Sequence, residues 1–224
     1  MIREHYDNVK KEIASSPQDV TLCIVTKYRS IEEILTYYNA GERDFAENRV
    51  KDLVEKAAVL PEDIRWHCIG HLQRNKVRTV LPYVSLIQSL DSKELADVIE
   101  KEAARINKDI DVLAEVHLAT EDENKTGLSA EELLPFLTYL KTLPHIRCKG
   151  IMAMGPHTDD AGRIHEVFHQ ASEVFAEAKK RFPELVHLSM GMSDDYPIAL
   201  AEGATMVRIG TYLFVDDQTS EKGS

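Results

Sequence analysis

Lys27 stands directly after Leu22-Cys23-Ile24-Val25-Thr26, so its stem leaves a nearly apolar strand and its amine lies at the strand's end. A lysine partly withdrawn from water loses some preference for the ammonium form, and the neutral amine is the form that adds to an aldehyde to make a Schiff base. A lysine that merely snorkels at a strand end is the competing explanation. Two runs further along the chain, Ser189-Met190-Gly191-Met192-Ser193 and Arg208-Ile209-Gly210-Thr211, have the residue types of an anion site. Gly191 lets backbone approach a ligand. Ser193 caps the next helix or offers its hydroxyl and that helix's first N–H groups to an anion, and Gly210 with Thr211 can present further amides. A plain N-cap at Ser193 and a plain turn at Gly210 are the alternatives. Arg208 stays charged at any accessible pH. Opposite a pyridine nitrogen its guanidinium would donate a hydrogen bond and disfavour protonation of that nitrogen; a salt bridge to a neighbouring carboxylate is the other way to satisfy it.

These residues need a scaffold that brings distant segments to one end. Eight short apolar or β-branched runs recur: 21–26, 43–45, 64–69, 84–88, 111–118, 147–153, 186–189 and 205–209. Between them the apolar spacing changes to three and four, as in Ile31, Ile34, Leu35, Tyr38, in Leu95, Val98, Ile99, Ala103, Ile106, and in Ile164, Val167, Phe168, Ala171, Val174, Phe175, which predicts amphipathic helices. Capping-box spacing marks three helix starts, Ser30 with Glu33, Asp91 with Glu94 and Ser129 with Glu132. Alternating strands and helices imply parallel strands joined by crossovers, and eight units favour a single α/β closed (β/α)8 TIM barrel over an open doubly wound sheet. An extra helix over 1–15 is expected to cover the barrel's base, with one domain over 1–215 and a polar tail over 216–224. In such a barrel function gathers at the C-terminal ends of the strands. That end collects Lys27, Asn48, His71, Lys76, Asp91, Lys125, Met190, Ser193, Arg208, Gly210 and Thr211.

With 27 Lys and Arg against 38 Asp and Glu, the net charge is −11, which argues against duplex nucleic acid or an anionic membrane as the main partner. Local dipoles must therefore attract any phosphate. No run approaches the roughly 20 apolar residues of a membrane span, and the first twenty residues fit neither a secretory signal nor a typical transit peptide. Cys23, Cys68 and Cys148, three and widely spaced, read as free thiols in a reducing cytoplasm. His165-Glu166-Val167-Phe168-His169 matches the H-E-x-x-H zinc pattern. The same segment, however, supplies Val167 and Phe168 to the core-facing stripe of a crossover helix, so a solvated outer face explains it more simply and no metal is expected.

The runs CIVTK, FAENRV, WHCIGHLQRNK, NKTG, GIMAMG, LSMGMSDDYPIALAEGAT and VRIGTYLF together resemble the pyridoxal phosphate homeostasis protein family, which is related to the N-terminal barrel of alanine racemase. The resemblance extends from about Val20 to Phe214. It implies a barrel of the alanine racemase N-terminal type carrying pyridoxal 5′-phosphate (PLP) on Lys27 as an internal aldimine. By the same resemblance Ser193, Gly210 and Thr211 would hold the phosphate, Arg208 would face the pyridine nitrogen, and Asn48 and Met190 would lie near the cofactor. His71, Lys76 and Lys125 would form a secondary site. Tyr28-Arg29 replaces the Thr-Lys often found after the lysine, and His117 stands where an asparagine is common.

Two functions from different classes follow. One is a monomeric PLP-binding protein that buffers the cofactor or delivers it to apo PLP-dependent enzymes, without turnover of its own. The other is a PLP enzyme, a weak amino-acid racemase. A racemase needs a base on each face of the bound substrate. Lys27 supplies one; the related racemases take the other from a second domain, for which only ten residues follow Phe214. His71 or Lys125 could reach the opposite face. An unprotonated pyridine facing Arg208 would be a weaker electron sink. Both points favour the non-enzymatic carrier. A cofactor-free Schiff-base aldolase acting on a phosphosugar is a third reading.

Overall fold

The computed structural model describes residues 4–119 and 126–214. Strands β1 (Thr21–Val25), β2 (Asp44–Glu47), β3 (Arg65–Cys68), β4 (Val84–Leu90), β5 (Ile110–Val116), β6 (Ile146–Ala153), β7 (His187–Ser189) and β8 (Met206–Ile209) lie parallel in sequence order, and β8 pairs back with β1 to close an eight-stranded barrel. Each expected run overlaps one of them. Around the barrel lie α1 (Glu4–Ser15), α2 (Ile31–Asn39), α3 (Val50–Ala57), α4 (Val77–Val80), α5 (Lys93–Ile106), α6 (Ala130–Leu140), α7 (Ala161–Arg181), α8 (Tyr196–Ala201) and α9 (Thr211–Phe214).

The strand runs are nearly continuous in apolar residues because both faces are buried. Ile24, Phe45, Trp66, Ile87 and Val112 pack under the helices, while Cys23, Val25, Ala46, Leu86, Leu113, Met152 and Met206 form a separate cluster inside the barrel. Alternate residues of one strand thus serve two cores. The inner cluster is made of modest side chains, and polar residues share the interior with it: His67 on β3, Gln88 on β4, Ser189 on β7 and Arg208 on β8 are all buried.

Two of the three predicted capping boxes are present. Ser30 Oγ accepts from the Glu33 N–H while Glu33 accepts from the Ser30 N–H at 2.8 Å, and Ser129 and Glu132 repeat the exchange. The third is not: α5 begins one residue later, with Ser92 as its N-cap, and the Asp91 carboxylate instead accepts from the Ser92 hydroxyl at 3.0 Å. The N-terminal helix also departs from expectation. Rather than covering the base, α1 packs at the side, where Tyr6 meets Tyr37 of α2 and donates to Glu42, and His5 lies 4.4 Å from the Tyr212 ring of α9. The four-residue α9 is too short to cover the β8 to β1 side of the barrel, and α1 supplies the missing apolar surface there.

The seam between β6 and β7 depends on one small residue. Gly150 faces His187, and a Cβ at position 150 would lie 1.8 Å from the His187 carbonyl oxygen. Only a strand shift relieves such an overlap, so Gly150→Ala is expected to cost about 3 kcal/mol or more. Urea unfolding of the variant measures this; a loss below about 1 kcal/mol would show that the seam is not held at that distance.

Candidate cofactor site

The strand ends gather the site as the barrel requires. After β1 the chain turns sharply: the Arg29 N–H donates to the Thr26 carbonyl at 3.0 Å and Tyr28 sits in the left-handed region at φ 64°. Lys27 therefore lies on a turn, not in the strand, and it is exposed. This corrects the expectation of a lysine partly withdrawn from water: the wall ends one residue earlier, at buried Thr26. That hydroxyl donates to Glu47 at 2.6 Å, and Glu47, fully buried, also receives Lys56 Nζ at 2.5 Å. The turn carrying Lys27 is thus anchored to the end of β2.

The ends of β7 and β8 form a cradle of donors. Ser193 does not cap a helix, since α8 starts three residues later with Asp195 at its N-cap. Its hydroxyl oxygen instead accepts from the backbone N–H groups of Gly210 at 3.4 Å and Tyr212 at 3.2 Å. Thr211 lies between those two amides at the start of α9. Gly191 takes φ 90°, and a Cβ there would stand 2.5 Å from that of Ala199, so only glycine lets this loop lie against α8. Met190 is buried directly before it.

Arg208 is 3% exposed. Its Nη1 donates to Ser189 Oγ at 2.8 Å and its Nη2 to the Ala153 carbonyl at 3.1 Å. Both acceptors are neutral, so the salt-bridge alternative gives way. Burial lowers the guanidinium's affinity for its proton, against the nearby Cys23, Asp195 and Glu115, yet not far enough for a group of this kind to lose its charge.

Asn48, His71 and Lys76 lie on the rim after β2 and β3, all exposed. His71 Nδ1 is 3.4 Å from Asp91 and helps line a cleft of about 750 Å³ with Gln73, Asn75, Ser92 and Thr126. Asn48 and Lys76, with Arg49 and Lys51, line an adjoining cleft of about 570 Å³ that shares His71. Lys125 lies outside the described residues, as does the expected tail over 216–224. His165 and His169 sit on the outer ring, each with Nδ1 about 3 Å from the Glu202 carboxylate.

Several groups escaped sequence reasoning. The Tyr212 amide and the interior residues His67 and Gln88 carry no motif, and the run that contains Ser189 does not mark its place inside the barrel. The signal available for them was a polar side chain at an inward position of an otherwise apolar strand. Glu115, 3% exposed at the end of β5, is another. Burial pushes its carboxyl up to about 7, with Asp91 adding to the rise and the Thr126 hydrogen bond and Arg208 opposing it.

Against known proteins, the model of the alanine racemase N-terminal domain family matches residues 1–218. The chain belongs to that family. A pyridoxal phosphate homeostasis protein of Aquifex aeolicus is 41% identical over 185 residues, 82% of this chain and 81% of the relative. The structure of PipY from Synechococcus elongatus without PLP superposes with a TM-score of 0.88 at 35% identity, covering 96% of this chain and 100% of that one, and the PLP-bound form with 0.85 at 34% identity over the same shares. Alanine racemase of Clostridium difficile shares the fold at a TM-score of 0.75 and 14% identity, with 98% of this chain matched to 57% of the racemase. The family's barrel is thus the observed one. Among the described residues, no helix is long and apolar enough to cross a membrane.

A folded-state carboxyl raised from 4.5 to about 7 binds a proton that the unfolded chain has already released. Stability therefore falls as pH rises across that interval. Glu115→Gln keeps the acceptor for Thr126 and removes the titration, so the variant should match the wild type near pH 5 and exceed it by on the order of 1–3 kcal/mol at pH 8. Urea unfolding at the two pH values checks this; equal differences at both would contradict it.

Proposed function

We propose that this protein binds PLP, on Lys27, and buffers or delivers it rather than turning over a substrate. The observation that carries this reading is the pairing of a buried arginine with a donor cradle at adjacent strand ends. Arg208 is held by neutral acceptors, and two amides converge on Ser193 in the next loop. The donor set fits a phosphorylated pyridine. Gly210, Tyr212 and Ser193 suit a phosphate at the start of α9, with Thr211 beside them, and Arg208 suits a ring nitrogen. The names of the relatives and PLP in the PipY structure point the same way.

PLP supplies an aldehyde that takes up a primary amine with loss of water. Lys27 offers that amine from an anchored turn, where solvent can receive the water. Arg208, donating to the ring nitrogen, opposes its protonation and so weakens the electron sink that carbanion chemistry needs. Asn48 and buried Met190 would lie near the cofactor in this reading. The exposed rim with His71 and Lys76, together with Lys125, gives a cofactor on its way in or out a second place to rest. We further propose that the protein acts as a monomer in a reducing cytoplasm, a compartment that suits three free cysteines, and passes PLP to apo-enzymes.

One observation favours the second reading, a weak racemase-type activity. Glu115, with its carboxyl at about 7, can exchange a proton at the barrel mouth near neutral pH. Borohydride reduction of the PLP-loaded protein followed by peptide mass spectrometry tests the main reading. It should place a pyridoxyl adduct on Lys27, absent in Lys27→Ala, and Ser193→Ala should raise the PLP dissociation constant by about tenfold, the equivalent of one charge-assisted hydrogen bond. No adduct after PLP addition would refute cofactor binding on Lys27. Racemisation of a common amino acid at ordinary enzyme rates, lost in Lys27→Ala, would refute the carrier role.

A further inference from the structure

The barrel interior contains one unbroken line of polar side chains. Arg208 Nη1 is 2.8 Å from Ser189 Oγ, Ser189 Oγ is 2.7 Å from Gln88 Oε1, Gln88 Nε2 is 2.8 Å from His67 Nδ1, and His67 Nε2 is 3.2 Å from Asp44 Oδ1. At the base Arg65 clamps both oxygens of Asp44. The line therefore runs from the ring-nitrogen arginine at the mouth to a carboxylate at the opposite face. Such an interior is ordinarily filled by branched apolar side chains. A polar line there is tolerated only if every member is satisfied.

Donor accounting gives the line a direction. Arg208 can only donate, so Ser189 Oγ accepts from it and passes its own hydroxyl proton to Gln88 Oε1. That orients the amide with Nε2 toward His67, where it donates to Nδ1 and also to Met206 Sδ at 3.2 Å. His67 then keeps its proton on Nε2 and donates to Asp44. Every bond points from mouth to base. A proton added at Nδ1 sets N–H against N–H at 2.8 Å, and rotation of the Gln88 amide is the relief. Oε1 then accepts from His67 and Nε2 donates to Ser189, whose oxygen now accepts from two donors, Gln88 and Arg208, and whose own hydroxyl proton loses Gln88 as its acceptor, the strain that opposes the reversal. The protonation of His67 thus reaches the partner of Arg208 without moving the backbone.

His67 is reached from the base. A cleft of about 250 Å³ opens there beside it, lined among others by Asp44, Arg65, Asp111, Lys149 and His187, and the Cys23 sulfur lies 3.4 Å from Nδ1. Those six are the titratable and charged groups facing the imidazole from β1, β2, β3, β5, β6 and β7; β4 and β8 present Gln88 and Met206. Burial disfavours a charged His67, while Cys23 and Asp44 favour it and prevail, raising its pKa to about 9, so the mouth-to-base direction belongs to the alkaline form and the reversed one to neutral pH.

We propose that His67, Gln88 and Ser189 are positioning residues for Arg208, and that the line they form reverses its hydrogen-bond direction when His67 takes up a proton from the base, loosening the hold of Ser189 on the guanidinium that meets the cofactor. This rests on the reading of Arg208 as the partner of the PLP ring nitrogen.

The test follows the His67 imidazole nitrogens by long-range proton–nitrogen correlation across pH, first in the cofactor-free protein. Ser189→Ala removes no atom that touches His67, yet should move its midpoint by about half a pH unit or more, a threefold change in proton affinity. In the PLP-loaded protein the near-visible band should change with the same midpoint as His67, and Gln88→Leu should abolish that inflection while retaining the cofactor. An unmoved His67 midpoint in Ser189→Ala, or a wild-type band profile in Gln88→Leu, would overturn the proposal. Absence of any band in wild type after PLP addition would overturn the cofactor reading and the role given to Arg208, while the cofactor-free midpoints still decide whether the line is coupled.

Discussion

A guanidinium buried inside a barrel is the constraint on which the site depends. Arg208 cannot relieve its desolvation by releasing a proton, so the interior must supply acceptors. It does so with a serine from β7 and a carbonyl from β6, and the serine in turn needs Gln88, which needs His67, which needs Asp44. One buried cation on β8 thereby dictates the polar residues of four other strands. The inner apolar cluster is correspondingly limited to the positions this line leaves free.

The same economy explains the mouth. The loops after β7 and β8 are held against each other through Ser193 and two amides, and that approach is possible only because Gly191 has no side chain to strike α8. Beside these loops, because β1 pairs with β8, the turn bearing Lys27 is tied through Thr26 to Glu47 and Lys56. A donor cradle beside an anchored but exposed lysine suits the proposed uptake and return of an aldehyde cofactor, since an amine on an open turn stays accessible to water.

Much of the architecture was legible in the chain, for physical reasons. Eight buried strands between amphipathic helices leave a periodicity that changes from continuous to three-and-four, and the boxes at Ser30 and Ser129 mark real helix starts. The box at Asp91 failed because Ser92 competes for the same cap and takes the carboxylate as its own acceptor. The place of α1 is not legible because an amphipathic helix announces that it covers something, not what it covers. Gly191, Gly210 and Ser193 stand out in the sequence by residue type, and the structure brings the two loops that carry them together. The exposure of Lys27 was not, because it depends on the strand ending at Val25 and on a left-handed Tyr28, a conformation that a tyrosine does not advertise. His67, Gln88 and Glu115 were hidden for another reason: inward and outward positions alternate, and when both faces are buried the pattern that tells them apart disappears.

The central claim is that Arg208 meets the cofactor's ring nitrogen as a hydrogen-bond donor. Nitrogen NMR of the protein loaded with PLP labelled at the ring nitrogen measures that atom directly. The account predicts an unprotonated nitrogen accepting a hydrogen bond throughout neutral pH, with a resonance displaced in Arg208→Met. A protonated pyridinium in the wild-type protein, or a resonance that Arg208→Met leaves unchanged, would contradict it.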